Sequence, residues 1–130
     1  MLMLTTGILK KISSTLKGTC SVKSYFVDKS DCARRTIFPG VEIFAMAGEQ
    51  MMLSLVEFLP GAVVEEHAHP NEQMGMLLEG RAHFFVGDEN KILQPGDMWR
   101  IPGGVRHRVV ALDGPVKALD FFYPIRPEYL

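Results

Sequence analysis

The chain has 130 residues, of which 47% are hydrophobic and 22% charged, and its formal net charge at pH 7 is −1. This length suits a single domain with one hydrophobic core. So balanced a charge gives no support to a nucleic-acid or anionic-membrane partner, and no apolar run reaches the roughly 20 residues that span a bilayer. We therefore expect neither a nucleic-acid partner nor a membrane span.

The N-terminal region has no clear strand pattern. Its apolar start, residues 1–4, is short, and lysines follow it instead of preceding it, so a secretory signal is not expected. We predict that residues 1–21 form a tail or an arm that packs on a partner subunit, and that residues 22–130 form one domain. The two cysteines, Cys20 and Cys32, fit no common zinc spacing. They favour reduced thiols in a cytoplasmic protein, although a disulfide between them stays open.

Short apolar segments, separated by many of the 12 glycines and 8 prolines, fill the rest of the chain. Residues 28–35 are expected to form a polar connection. The core is expected to include Met74, Met76, Met98 and Phe84. Many short strands with short turns favour an all-β fold, a closed antiparallel jelly roll. The predicted strands cover residues 22–27, 41–46, 50–59, 73–78, 81–86, 91–93, 98–101, 105–111 and 116–122.

The stretch from Gly61 to Gly80 carries a candidate metal site. His67 and His69 are two residues apart, so on an extended strand both imidazoles point to the same face. Imidazole is the commonest protein ligand of first-row transition metals. Gln73 follows a turn at residues 70–71 and can return an oxygen to the same point from the next strand. Glu72 is a charged rival, but on a regular strand it faces the opposite way.

A second stretch supplies a third histidine. A turn at residues 102–104 precedes His107, which shares an apolar strand face with Val105 and Val109. We therefore expect His107 to point inward, toward the other two. The fourth histidine, His83, is expected to be a structural or surface residue. Arg100, Arg106 and Arg108 are expected on a solvated face.

Together the two stretches resemble the two signature motifs of the cupin superfamily. The resemblance implies a double-stranded β-helix, also called a jelly-roll barrel, and a homodimer. It also implies a metal held by His67, His69, Gln73 and His107. The matching positions are Gly61, His67, His69, Gln73 in a glutamate slot, and Gly80, then Gly96, Pro102, Gly104, His107, and Ala111 in an asparagine slot.

Three histidines and one glutamine form a neutral ligand set. A bound divalent ion would keep its full charge and be a strong Lewis acid toward a substrate oxygen. Such ligands suit zinc, nickel, iron, manganese or cobalt, so the ligand set leaves the identity of the metal open.

The last predicted strand carries an unexpected carboxylate. Asp120 shares a strand face with Val116 and Phe122, and Lys117 lies on the other face. Because Lys117 prefers water, Asp120 should point inward. An inward carboxylate is costly unless it is paired, hydrogen-bonded or functional. Asp120 is thus either a catalytic acid/base or a satisfied buried carboxylate.

The chain end resembles a narrower group, the KdgF-type cupins of pectin and alginate breakdown, at Asp120, Phe122 and Arg126. This resemblance implies a carbohydrate-catabolic enzyme that linearises 4,5-unsaturated uronates to a keto acid. Asp120 and Arg126 would be catalytic, and Phe122 and Arg126 would bind the substrate. Arg126 could instead pair with a protein carboxylate. The alternatives are a metal-dependent cupin dioxygenase and a non-catalytic small-molecule binding module.

Overall fold

The computed structural model describes residues 24–130. The predicted arm over residues 1–21 and Cys20 lie outside this range. Within it the chain forms two short 3-10 turns, Lys29–Asp31 and Pro127–Tyr129, and a series of strands. The strands are β1 (Ala33–Phe38), β2 (Val41–Ala47), β3 (Met52–Phe58), β4 (Val63–His67), β5 (Glu72–Glu79), β6 (Ala82–Val86), β7 (Glu89–Leu93), β8 (Met98–Ile101), β9 (His107–Ala111) and β10 (Val116–Tyr123).

The strands form two antiparallel sheets that enclose one hydrophobic core. One sheet has the strand order β1-β2-β3-β10-β5-β8, and the other has the order β4-β9-β6-β7. The core side chains include Ile43, Leu77 and Ile101, all at most 1% exposed. Burial of each such side chain contributes roughly 1.5–3 kcal/mol. This arrangement confirms the predicted all-β jelly roll.

Strand alternation produces the core. Along β3, Met52, Ser54, Val56 and Phe58 are buried, whereas the residues between them are half-buried on the outer face. On β10 the same alternation buries Val116, Ala118, Asp120 and Phe122. These two strands pair directly in the large sheet. Within residues 24–130, no helix has the length and hydropathy to cross a membrane.

The N-terminal part of the strand prediction is wrong. Residues 24–27 form no strand and are exposed, and the first described strand, β1, begins within the predicted polar connection 28–35. β1 is an edge strand that pairs only with β2 in this sheet. Its charged residue Arg34 lies in register with Phe44 and donates to Glu42 at 2.9 Å. Pairing with β2 therefore overrides the polar composition that suggested a loop.

The prediction that Met74, Met76 and Met98 lie in the core is also wrong. Their side chains are 53%, 37% and 70% exposed, whereas Phe84 is buried as expected. Because Gln73 and Leu77 take the inner positions of β5, Met74 and Met76 must point outward. The outer face of the large sheet therefore carries five aligned apolar side chains, which we call the apolar row. In strand order its members are Phe44, Leu55, Leu119, Met76 and Met98.

Candidate metal centre

A β-bulge aims His67 at the interior. On β4, Val64 pairs with Val109 of β9, and the next pair is His67 with His107, so β4 carries one extra residue. Glu65 and Glu66 are both exposed at this point. The extra residue changes the side of the strand on which His67 lies. His67 and His107 consequently face each other, with ring centroids 4.3 Å apart.

His69 lies beyond the end of β4, so the prediction that both histidines share one regular strand is wrong. Its carbonyl accepts the N–H of Gly104 at 2.8 Å, from the turn that precedes His107. Gly104 has a φ of +85°, which favours glycine. A Cβ on neighbouring Gly103 would collide with the carbonyl of Pro70. The two glycines thus let the turn clamp the His69 loop, and the three histidines come together.

The three imidazoles present the same nitrogen to the interior. Each Nδ1 lies 2.8–3.0 Å from a main-chain carbonyl two residues away, that of Glu65 for His67, Asn71 for His69 and Val105 for His107. A carbonyl only accepts, so each Nδ1–H donates and each Nε2 carries a bare lone pair. Fixing the ring through its other nitrogen is the usual support of a metal-binding histidine. One ligand atom from each histidine lies within 4.8 Å of the others.

Gln73 completes the cluster from β5. Its Nε2 donates to Asp120 Oδ1 at 2.9 Å, and its Oε1 lies 3.0 Å from His69 Nε2. Gln73 Oε1 and His69 Nε2 are both acceptors, because His69 donates through Nδ1. Two lone pairs face to face repel each other unless a proton or a cation lies between them. The donor set and this contact both fit a metal ion at the centre of the cluster.

Burial keeps His69 and His107 in their ligand form. Desolvation lowers the pKa of His107 to about 4, with smaller contributions from the neighbouring histidines and Arg126. Desolvation also lowers the pKa of His69, and the nearby positive charge of Arg126 lowers it further. Neutral imidazole is the form that binds metal. His107 Nε2 is buried and has no hydrogen-bond partner among the described residues, which is costly without a ligand.

The family comparison agrees with this geometry. A cupin domain model matches residues 54–122, which is more than half of the chain. The chain belongs to the cupin family. No curated protein sequence matches it.

Several solved structures are similar to this cupin. KdgF from a Halomonas species is 28% identical, with a TM-score of 0.73 over 82% of this chain and 100% of that one. An RmlC-like cupin from Shewanella frigidimarina is 25% identical, with a TM-score of 0.76 over 83% of this cupin and 97% of that chain. Oxalate decarboxylase of Bacillus subtilis, a protein with Mn(II) centres, shares the fold. It is 22% identical, with a TM-score of 0.70 over 81% of this cupin and 30% of that chain.

Asp120 lies deep beside the cluster of this cupin. Its side chain is 8% exposed, and Oδ1 accepts hydrogen bonds from Gln73 and from the Trp99 indole, both at 2.9 Å. Within residues 24–130 no side chain donates to Oδ2. Desolvation raises the pKa of Asp120 to about 6, against the opposing effects of the two hydrogen bonds and Arg126. Asp120 can therefore exchange a proton near neutral pH.

Arg126 closes the same cavity from the C-terminal segment. Its guanidinium carbon lies 5.1 Å from the Phe122 ring centroid and 4.1 Å from that of Tyr129, and Nη1 donates to the Tyr129 hydroxyl at 2.9 Å. Phe122 meets the edge of His69 at 5.6 Å. Arg126 Nε is buried without a partner in the described chain. The structure thus brings Asp120, Phe122 and Arg126 to one cavity with His67, His107 and Gln73.

The cavity is small. The centres of water molecules can occupy a volume of about 40 Å³ inside it, which leaves room for an ion and a few waters. Its floor is mostly apolar, from side chains such as Ile43, Val56 and Ile101. Its polar lining is Ser54, His67, Gln73, His107, Asp120, Arg126 and Tyr129.

Residues outside the proposed ligand set lie elsewhere. Glu72 is exposed, and His83 stacks on Phe85 and contacts Asn90 Oδ1 at 3.0 Å, away from the histidine cluster. Arg100 is exposed, Arg106 pairs with Glu66 at 3.0 Å, and Arg108 is partly buried over Phe85.

Sequence reasoning missed three residues of the site. Trp99 donates to Asp120, Ser54 lies opposite Asp120 with a buried, unpartnered hydroxyl, and Tyr129 holds Arg126. Strand parity would have found Trp99, because Met98 and Arg100 on either side of it point outward. Parity along β3 would also have placed Ser54 inside, between Met52 and Val56, whereas nothing in the local pattern around Tyr129 indicates the cavity.

Proposed function

We propose that this cupin binds one divalent metal ion and opens the ring of 4,5-unsaturated uronates, giving a linear keto acid. The observation that carries the proposal is the buried Asp120 carboxylate, which hydrogen-bonds Gln73 while its Oδ2 has no donor among the described residues. Likeness to KdgF, which extends over the whole of that chain, supports the substrate class.

The metal would be held by His67 Nε2, His69 Nε2, His107 Nε2 and Gln73 Oε1. All four ligands are neutral, so the ion would keep its full positive charge and act as a strong Lewis acid toward a substrate oxygen. The identity of the metal stays open among zinc, nickel, iron, manganese and cobalt.

Asp120 would move the proton. Oδ1 is occupied by two N–H donors, so the proton would be held at Oδ2. A pKa raised to about 6 lets the group both give and take a proton at neutral pH. Ring opening needs such a group, because the anomeric hydroxyl loses a proton as the bond between the anomeric carbon and the ring oxygen breaks. The enolate that is released then takes a proton at carbon 4 and becomes the keto acid.

Arg126 and Phe122 would bind the sugar acid. The Arg126 Nε has no partner in the described chain, and Nη2 lies 3.6 Å from Glu128 Oε2, a protein carboxylate that a uronate would have to displace. Nε and Nη2 could then donate to the uronate carboxylate as a fork. Phe122 offers its ring to the apolar side of a sugar. Because the cavity itself is small, the turn Pro127–Tyr129 would have to move so that the sugar reaches Arg126.

The proposal is tested by following 4,5-unsaturated galacturonate with the metal-loaded protein by NMR. The wild type should form the linear keto acid, and Asp120→Asn should lose about 10²-fold or more of that rate. Metal content should stay nearly unchanged, and the melting temperature should not fall. Asp113→Asn is the matched control, because it makes the same change at a carboxylate that is 79% exposed. A metal-loaded wild type that leaves unsaturated uronates intact would refute the proposal.

The apolar cavity floor keeps a dioxygenase as the second candidate. Ile43, Val56 and Ile101 provide a surface that suits dioxygen and an apolar substrate. In that case the iron-loaded protein would consume oxygen, and turnover would stop under nitrogen. Ring opening of a uronate needs no oxygen, so the two candidates separate in one anaerobic assay.

We also propose that the outer face of the large sheet joins two copies of the chain, as the family resemblance implies. The apolar row lies across five strands of this face, where Met76 and Met98 are exposed and the other three members are half-buried. Apolar surfaces of this kind mark contact sites. A twofold axis would pack the same face on itself. Light scattering should give twice the chain mass for the wild type and a smaller mass for Leu119→Glu. A monomeric wild type would end this proposal. The cytoplasmic location stays a prediction.

A further inference from the structure

Three residues that face the interior lie side by side on three neighbouring strands. Asp120 of β10 pairs with Gly75 of β5, and Gly75 pairs with Trp99 of β8. Asp120 and Trp99 are 8% and 9% exposed. Although β5 separates them, the Trp99 Nε1–H donates to Asp120 Oδ1 at 2.9 Å.

Gly75 makes this contact possible. A Cβ at this position would lie less than 3.0 Å from two carbon atoms of the indole and from the carbonyl oxygen of Leu119. Real Cβ atoms essentially never come so close to other atoms. The missing side chain on β5 therefore leaves a groove in which the indole crosses the strand. Phe84 packs on the indole from the opposite sheet, with ring centroids 4.4 Å apart.

The indole N–H has a chemical consequence for Gln73. An ionised carboxylate only accepts, and because indole only donates, Asp120 Oδ1 must also accept when the carboxyl group is protonated. Gln73 contacts the same oxygen at 2.9 Å and must present its own donor, the amide Nε2. The amide oxygen is then left to face His69, at 3.0 Å from Nε2 of that ring. The two ends of a glutamine amide have nearly the same shape, so packing alone does not choose between them.

We infer that Trp99 is a positioning residue that, together with the carboxylate of Asp120, fixes the Gln73 amide so that its oxygen faces the metal position, and that either one suffices when the other is changed. An amide nitrogen has no lone pair to give a metal, so a reversed Gln73 would leave only three ligands. The inference rests on the proposed metal site but not on the uronate reaction. Its chain of contacts is Trp99 Nε1–H to Asp120 Oδ1, then Gln73 Nε2–H to the same atom.

A double-mutant cycle in zinc affinity separates this role from simple packing. In Trp99→Phe the Asp120 carboxylate still only accepts, and in Asp120→Asn the indole still selects the amide oxygen of the new side chain. Each single variant should therefore keep the Gln73 orientation. In Trp99→Phe/Asp120→Asn nothing selects an end of either amide, so Gln73 can reverse.

The zinc dissociation constant of the four proteins is measured by competition with a chelator, with no uronate present. The single variants should stay within a few-fold of the wild type, and the double variant should lose roughly 10–100-fold. That loss should exceed the product of the two single effects. The control cycle uses Phe84→Leu in place of Trp99→Phe, because Phe84 touches the indole without a hydrogen bond to Asp120. The control cycle should be additive.

A wild-type experiment covers the case in which Trp99→Phe does not fold. The chain has one tryptophan, so its indole N–H gives one resonance in a ¹H–¹⁵N spectrum. That proton should exchange slowly with water, and its shift should change in Asp120→Asn. A wild type that binds no zinc would overturn the metal site itself. Zinc binding with an additive cycle, or with a rapidly exchanging indole proton, would overturn the positioning role alone.

Discussion

Over a short stretch, the two faces of β5 and β10 reverse the usual distribution of polar and apolar side chains. The inner face carries Gln73, Asp120 and Phe122, all at most 8% exposed, beside the histidine cluster. The outer face carries Met74, Met76 and Phe121, which are 36–53% exposed. Both faces come from the same two paired strands.

This reversal shows that strand parity and composition can give opposite answers. Composition assigns methionine to the core, whereas parity assigns Met74 and Met76 to the side opposite Gln73 and Leu77. Parity predicts the inward side chains correctly here, because the buried polar residues form hydrogen bonds with one another. Gln73 and Trp99 satisfy the carboxylate oxygen of Asp120, which reduces the cost of burial.

The largest expected effect compares neighbours on β5. Leu77→Ala removes a side chain that is 0% exposed, and it should cost about 2–5 kcal/mol in the free energy of unfolding. Met76→Ala, at 37% exposed, should change it by about 0.5 kcal/mol or less in dilute protein. Urea denaturation measures both. Equal losses would mean that the two faces do not differ as described.

The pH dependence of stability tests the buried carboxylate. Burial raises the pKa of Asp120 from 3.8 to about 6, so the folded metal-free protein keeps a proton there that the unfolded chain releases. The resulting stabilisation is present below pH about 4 and is lost as pH rises through about 6. His107 acts oppositely: its pKa is lowered from 6.5 to about 4, so stability is lost as pH falls through this range.

The difference in the free energy of unfolding between Asp120→Asn and the wild type isolates the contribution of this carboxylate, because the contributions of the other titrating groups cancel. The free energy of unfolding of Asp120→Asn, relative to wild type, should rise between pH 4 and 6 by up to ~3 kcal/mol, which is about two pKa units at ~1.4 kcal/mol each. Above pH 6 the difference should be constant. Urea titrations of metal-free protein at several pH values give this difference, and a flat difference throughout would place Asp120 in contact with water.

A smaller effect compares the two neighbours at the start of β5. Gln73→Ala should weaken metal affinity by roughly 10–100-fold, because it removes a ligand oxygen. Glu72→Ala changes an exposed side chain on the other face and should leave affinity within a few-fold. Competition with a chelator measures both. An equal or reversed effect would mean that Glu72, not Gln73, faces the ion.

Much of this fold could be predicted from the sequence. Of the nine strands predicted from turns and alternation, eight coincide with strands of the structure. The resemblance of the two motifs to cupins implied the jelly roll. β1 could not be predicted, because only pairing with β2 explains a strand that contains Arg34 and Arg35. The position of His69 depends on a hydrogen bond between two loops, from the Gly104 N–H to the His69 carbonyl. The bulge before His67 depends on the pairing of β4 with β9. Neither interaction is visible in a single segment.

The candidate site was predicted in part for the same reason. Local parity puts Asp120 inside, but it does not show what the carboxylate touches. Trp99 reaches Asp120 only because Gly75 lies between them in the register of three strands. That juxtaposition is a property of the sheet and is not visible in any one segment.

The most direct test of the account is the metal content of the purified protein. After loading with zinc and removal of excess ion, elemental analysis should find one ion per chain in the wild type and little in His67→Ala/His107→Ala. Each of the two substitutions removes an Nε2 that faces the same point, and the two rings have centroids 4.3 Å apart in the wild type. Asp113→Asn should retain the wild-type content, since Asp113 lies on the surface. Stoichiometric zinc in the double histidine variant would contradict the metal centre.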